Sequence, residues 1–284
     1  MFRPIRSLLL AALAAAALPH AASATSAAIC GDRFDFARGR QLDVTGLTSD
    51  GRLVRFRECS PKKLRASANV TGLTGSDTSL VGIDYRAKDG LLYGVGNGGG
   101  IYAFSGAPGV ATLVSQLTVA LEGASFGVDF NPAADRLRVV SDTGQNLRHN
   151  LDDDTTTMDM PLKNADVVAV GVAGAGYTNN DVDTSTATTL FDLDATLDQI
   201  SIQSPPNNGN LVATGKLGVD AGAVAGFDVY SRLENGIAAA NWGFAAIDAA
   251  GSRGFYRIDL LTGRAISIGT LGAPLVDIAL PLDQ

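Results

Sequence analysis

Five similar segments recur along this 284-residue chain, and the interval between them limits what it can fold into. They are LVRF (53–56), IYAF (101–104), LRHN (147–150), LFDL (190–193) and FYRI (255–258). A short apolar run follows each a few residues on, most clearly VATLVSQL (110–117), DQISI (198–202) and RAISIG (264–269). Counted from Leu53, Ile101, Leu147, Leu190 and Phe255, the starts lie 48, 46, 43 and 65 residues apart. Intervals of about 45 residues are those of a four-stranded unit repeated around an axis. The chain is therefore predicted to be all-β, a single β-propeller of five four-stranded blades, with six blades as the alternative if the N-terminal arm forms strands of its own.

The second unit shows the scheme best. LVGIDYR (80–86), GLLYGVGN (90–97), GGIYAFSG (99–106) and VATLVSQL (110–117) are short apolar runs separated by glycine-bearing turns, the mark of an antiparallel meander. The third unit repeats it as SFGVDFNP, DRLRVVSD, QNLRHNLD and TTTMDMPL between 125 and 162. In the fourth, VVAVGVAG (167–174), GYTNN (176–180), TTLFDLDA (188–195) and LDQISIQS (197–204) read as the strands, and SPPNNGNLVATGKLGV (204–219) as an insertion behind the 65-residue interval. The fifth unit runs from AGFDVYS (225–231) to RAISIGTL (264–271). No window beyond the N-terminus sustains a helical apolar period.

The two ends complement each other. Unit one has LDVTGLTS (42–49), GRLVRFRE (51–58) and KKLRASANV (62–70) but no opening strand. LVDIALPL (275–282) follows a fifth unit that is already complete. Pairing the C-terminal segment with the N-terminal strands closes the ring and leaves no long exposed edge.

Residues 1–24 read as a cleaved signal peptide: Arg3 and Arg6, an apolar stretch from Ser7 to Leu18, then Ala22-Ser23-Ala24. The stretch is shorter than the roughly 20 residues that span a bilayer. A soluble, exported protein is expected, periplasmic or extracellular and without a membrane span, with a short N-terminal arm (25–41) before the propeller domain (42–284). Cleavage removes two of the 22 basic residues and none of the 29 acidic ones, which takes the formal charge from -7 to -9. So acidic a chain has no basic stripe for phosphates, which argues against nucleic acid as a partner. Cys30 and Cys59 are the only cysteines, and in an oxidising compartment they are expected to form a disulfide.

The stretch FGVDFNPAADRLRVVSDTGQNLRHN (126–150), YTNN (177–180) and PPNNG (205–209) resembles the signature segments of an uncharacterised bacterial family, domain of unknown function 4394. LVGIDYRAKDGLLYGV (80–95) and GFYRIDLLTGRAISIGTL (254–271) are similar to its other units. The resemblance implies a propeller-like, exported protein and carries no activity with it.

Four aspartates hold the same place in the opening strands: Asp84 in GIDY, Asp129 in GVDF, Asp228 in GFDV and Asp277 in VDIA, with Ala173 there in unit four. Opening strands line the central channel, so these carboxylates are expected to converge on the axis. There they would hold a hard cation such as Ca²⁺, act as the acid pair of a glycan hydrolase or lyase, or accept hydrogen bonds from the next blade's backbone. Arg148, Asn179 and Asn180 lie in polar loop sequences suited to a ligand. Trp242, the only tryptophan, is expected to pack between blades, with stacking on a ligand as the alternative. His149 is the only histidine left after cleavage and reads as a surface strand residue, with no nucleophile elbow nearby. These residues favour a non-enzymatic module that binds a protein or glycan or acts as a scaffold, with the hydrolase or lyase as the alternative.

Overall fold

Alternating apolar positions, broken every five or six residues by glycine or aspartate turns, form 22 short strands in this computed structural model, which describes residues 41–249 and 251–282. The predicted signal peptide, Cys30 and nearly all of the N-terminal arm lie outside those residues. Strands β1 (Asp43–Thr48), β2 (Arg52–Arg57) and β3 (Leu64–Asn69) belong to blade one. Blade two is β4 (Leu80–Tyr85), β5 (Leu92–Gly96), β6 (Gly100–Phe104) and β7 (Thr112–Gln116). Blade three is β8 (Phe126–Asn131), β9 (Arg136–Ser141), β10 (Asn146–Asn150) and β11 (Thr155–Met158).

Blade four has six strands. A small outer hairpin of β12 (Lys163–Asn164) and β13 (Val167–Val168) precedes β14 (Val172–Tyr177), β15 (Leu190–Asp194), β16 (Gln199–Gln203) and β17 (Asn210–Lys216). The hairpin joins the sheet through a parallel pairing of β12 with β17. Blade five is β18 (Ala225–Glu234), β19 (Ile237–Ala249), β20 (Ser252–Ile258) and β21 (Ala265–Thr270).

The last strand, β22 (Leu275–Ala279), returns to blade one, where it is innermost in the order β22-β1-β2-β3. Thr45 faces Ala279 and Leu47 faces Asp277 in an antiparallel register. Five sheets therefore close into a five-bladed ring, as the complementary ends predict.

Blade four corrects the reading of its strands. Its inner strand is 172–177, which straddles the two pieces expected at 167–174 and 176–180. The supposed insertion supplies the outer strand β17, after a single 3₁₀ turn at Pro206–Asn208. LFDL is thus a second strand rather than a third, and the true third strand is β16. Replacing Leu190 by Ile200 turns the last two intervals, 147 to 200 and 200 to 255, into 53 and 55 residues. The uneven spacing came from a second strand as apolar as its neighbour.

Apolar side chains fill the spaces between blades. Phe56 and Phe255 meet edge to face with centroids 5.2 Å apart across the one–five interface. Tyr93 and Phe130 do the same at 5.2 Å between blades two and three. Burial of such rings, at about 25 cal/mol per Å² of apolar area, holds the wheel together.

Candidate functional site

The five innermost strands, β22, β4, β8, β14 and β18, surround the axis at close range. Glycine makes the approach possible: a Cβ on Gly127 would lie 2.5 Å from Ala175 N, and one on Gly226 would lie 2.6 Å from Asp277 Cα. Two residues after each of these glycines comes an aspartate, Asp129 and Asp228.

Each axial carboxylate accepts a backbone hydrogen bond from the next blade. Phe130 N–H donates to Asp84 Oδ2 at 2.8 Å, Tyr177 N–H to Asp129 Oδ1 at 3.1 Å, Leu280 N–H to Asp228 Oδ2 at 2.5 Å and Ile83 N–H to Asp277 Oδ2 at 2.8 Å. The belt runs from blade two to three, three to four, five to one and one to two. It ties sheets that share few other backbone bonds.

Two of the expected equivalences shift. Tyr177 donates to Asp129 as Phe130 donates to Asp84, so the place of the missing carboxylate in blade four is Gly176, not Ala173. With no side chain there to receive it, Val229 N–H turns to Asp228 Oδ1 of its own residue pair, at 2.5 Å. Asp277 sits one pleat step upstream of the others. Leu280 takes the place after the repeated position, and Asp277 bonds to Ile83, before Asp84, rather than to Tyr85. A slip of two residues keeps a strand's face and changes its height.

Asp84, Asp129 and Asp228 offer oxygens within 4.8 Å of one another, while Asp277 stands outside that group. Cation–oxygen distances of about 2.3–2.6 Å span such a triangle, so its size suits a hard cation. One oxygen of Asp84 and of Asp129 is already committed to a backbone N–H, and both oxygens of Asp228 are. All four side chains are buried, Asp129 and Asp277 to 1% exposure. Burial drives the carboxyls of Asp84, Asp129 and Asp277 well above the usual range, and the neighbouring carboxylates push the same way. Burial also raises Asp228, to about 6, against the pull of its two N–H donors.

Of the polar residues singled out in loop sequences, the asparagines serve the joint between blades four and five, while Arg148 lies in β10 and pairs within blade three. Asn179, at φ 59°, has its N–H bonded to Asn241 Oδ1 at 2.9 Å, and Asn241 Nδ2 returns a bond to Asn179 Oδ1 at 2.7 Å. Asn180 Nδ2 donates to Val229 O, and its backbone N–H to Ser231 Oγ, both at 3.0 Å. Arg148 grips Asp159 through Nε and Nη2, both at 3.2 Å.

Asp159 also takes Nη1 of Arg138 at 2.7 Å, and Arg138, 2% exposed, is a residue that sequence reasoning missed. It also donates to Asn146 Oδ1 and, through Nη2, to Asn207 Oδ1 of the PPNNG turn at 2.8 Å. The signal was present in DRLRVV: Leu137 and Val139 face blade two, so Arg138 between them faces blade four.

His149 corrects a second expectation. It is fully buried rather than a surface residue. Ser115 Oγ, in β7 of blade two, lies 2.7 Å from His149 Nε2 and donates to Asp154 Oδ1 at 2.6 Å. With the hydroxyl proton given to Asp154, His149 Nε2–H is the donor to Ser115, and Nδ1 accepts from Thr156 Oγ1 at 3.0 Å. Thr156 Oγ1 in turn accepts Thr118 N–H at 2.9 Å. Burial lowers the His149 pKa, which keeps the ring neutral. A histidine that donates to the serine cannot take its proton, so this trio joins two blades and does not form an activated nucleophile.

Two of the open clefts around the ring carry polar and aromatic side chains together. One, of about 470 Å³ between blades four and five, is lined by Thr178, Asn179, Asn241, Trp242, Arg257 and Asp259 among others. Trp242 stacks on Tyr230 of its own blade with centroids 6.1 Å apart, packs against the five–one core and also lines the cleft. The other cleft, about 520 Å³ between blades one and two, is more apolar and carries Arg55, Tyr85 and Phe104.

Five four-stranded or larger sheets around a belt of buried carboxylates define the protein as a five-bladed β-propeller. The chain belongs to the family described as "Domain of unknown function (DUF4394)", whose model matches residues 52–279. No curated protein matches the sequence. Among solved structures, a structural genomics protein of unknown function from Bacteroides thetaiotaomicron VPI-5482 is similar over 84% of this chain and 64% of its own, with 14% identity and a TM-score of 0.50. Myxococcus xanthus glutaminyl cyclase matches at 12% identity, 82% and 83% coverage and a TM-score of 0.45. Kuenenia stuttgartiensis hydrazine synthase matches at 13% identity and a TM-score of 0.42, covering 70% of this chain and 52% of that one. The chain thus spans about half the length of the hydrazine synthase chain. The likeness to the Bacteroides protein is one of fold.

Proposed function

We propose that this protein is an exported, non-catalytic binding propeller that takes a glycan in the cleft between blades four and five. The observation that carries the reading is the make-up of that cleft: an indole, a guanidinium, a carboxylate, two amides and two threonines line a concavity of about 470 Å³. Ligand sites run to about 300–1,000 Å³ and pair apolar walls with a few placed polar groups. An indole beside amide and hydroxyl groups suits a sugar ring, whose C–H face packs on aromatics while its hydroxyls bond to polar side chains.

The amide pair Asn179–Asn241 is locked by mutual hydrogen bonds, which gives the wall a fixed shape before any ligand arrives. The alternative of a hydrolase or lyase using the axial aspartates has less support, because all four carboxylates are buried and each is bonded to backbone. The test is binding to a panel of immobilised glycans, with Trp242→Ala beside the wild type. Binding lost at least tenfold in the variant supports the cleft. Equal binding by both proteins would move the site elsewhere, and binding to none of the panel would remove the glycan.

Export and the Cys30–Cys59 bridge belong to the same reading. Cys59 follows β2, so the bridge would pin the N-terminal arm to blade one. Closing a loop of about 30 residues stabilises by roughly 3–4 kcal/mol in the chain-entropy model. Reduction of the mature protein is expected to lower the melting temperature, and an unchanged melt would contradict the bridge.

A further inference from the structure

We propose that the interior between blades three and four holds a hard, oxygen-ligated cation on Asp192 and Gln203, with the Asp194 carboxylate beside it. Three residues of one sheet face carry the argument. In the β15–β16 ladder Leu190 pairs with Gln203, Asp192 with Ser201 and Asp194 with Gln199. Leu190 packs into the apolar cluster that blades three and four share, so Asp192, Asp194 and Gln203 look the same way.

Both oxygens of Asp192, Oδ2 of Asp194 and Oε1 of Gln203 are buried without a hydrogen-bond partner. The residues themselves are 0%, 0% and 1% exposed. Gln203 is held in this orientation because its Nε2 donates to Pro206 O at 2.5 Å and to Asn146 Oδ1 at 3.4 Å, which leaves only the carbonyl to face the cluster.

All four orphan atoms are acceptors. Buried carboxylate and amide oxygens are the donor set that hard cations select; of the donors on the same face, Gln199 Nε2 is given to Ser201 Oγ, and the Asn164 side chain bonds to Asp194. Arg138 is bound to Asn146, Asp159 and Asn207, and Arg148 shares Asp159, so both guanidiniums are engaged elsewhere and neither donates to Asp192. Lys216 acts on Asp194 from outside, exposed and bonded to Leu197 O. The site is distinct from the axial trio, since Asp192 and Asp194 lie on the second strand of the blade and not the first.

The experiment uses the full-length mature protein, stripped with chelator, exchanged into choline chloride and melted with added Na⁺ or Ca²⁺ at constant ionic strength. Asp192→Asn and Asp129→Asn are melted in parallel. With one of the two ions at about a hundredfold excess over its dissociation constant, the wild type is expected to gain on the order of 5 °C. Asp129→Asn should gain as much and Asp192→Asn nothing. A wild type indifferent to both ions overturns the proposal. So does an Asp192→Asn protein that still responds, or a response lost only in Asp129→Asn, which would place the ion on the axis. Should Asp192→Asn not fold, Asp194→Asn gives the same readout while keeping the Oδ1 that caps the 194–197 turn. A weakened response there supports the site, and an unchanged one overturns it.

Discussion

Buried carboxylates stand in two places in this wheel, and the two are built differently. On the axis, Asp84, Asp129, Asp228 and Asp277 each meet a backbone N–H from the neighbouring blade. In the joint between blades three and four, Asp192 meets none, although it is at least as deeply buried. Burial raises the pKa in both settings, to about 6 for Asp228 with its two donors and to about 8 for Asp192, where the pull of Arg138 is the only opposing influence. Depth alone therefore does not say what a buried acid is for. The supply of donors does: the axial acids are fasteners, and Asp192 is an acceptor waiting for a positive charge.

The largest effect should come from the guanidinium that organises the second region. Arg138→Leu strips Asp159, Asn146 and Asn207 of a shared donor inside a closed joint. Removing one partner of a buried ion pair costs about 3–5 kcal/mol, to be read from chemical denaturation. A loss below about 1 kcal/mol would show that the joint relaxes around the gap.

A smaller effect separates the two halves of an axial fastener. Asp84→Ala leaves Phe130 N–H buried without an acceptor and should cost about 1–3 kcal/mol. Asp84→Asn keeps an acceptor oxygen, removes a charge from a crowded axis and should be close to neutral at pH 8. If both variants lose the same stability, the charge and not the hydrogen bond holds the belt.

The smallest effect is the dependence on pH. A carboxyl whose folded pKa lies above its unfolded value adds stability that is complete below the unfolded value and fades as pH rises through the folded one. Burial raises Asp228 from 3.8 to about 6 and Glu58 from 4.5 to about 7, and Asp84, Asp129 and Asp277 move the same way. In chelated buffer the melting temperature should therefore climb as pH falls from 8 to 5. His149 opposes this, since a lowered histidine pKa adds stability above about 6.5 that is lost in acid. A melting temperature that falls steadily over the range would mean that the axial acids are ionised at little cost.

Much of the architecture could be read from the chain, for a physical reason. A blade must alternate its side chains and turn every few residues, and both leave marks in the order of residues. The unmatched LVDIALPL segment likewise pointed to the closing strand because an unpaired inner position is costly.

What could not be read depended on height and depth. The place of the absent aspartate in blade four was misassigned because VAVGVAG and VAGAGY are equally plausible inner strands. Only the Tyr177–Asp129 bond selects the second. The two-residue offset of Asp277 leaves its face unchanged, so alternation carries no trace of it. His149 shares a face with Leu147, two residues before it, and that pairing argued for burial more strongly than its polarity argued for the surface. Arg138 and Asp192 sit among apolar neighbours in strands that otherwise look like plain core, and a lone charge in such a run is the pattern to search for.

Closure by β22 ties the order of synthesis to the completion of the wheel. β1 leaves the ribosome some 230 residues before its inner neighbour β22, so the seam must wait that long to be sewn. A contact this distant along the chain slows folding. Until it forms, blade one has a raw edge toward the axis, and Ile83 and Asp228 lack their partners from the final segment.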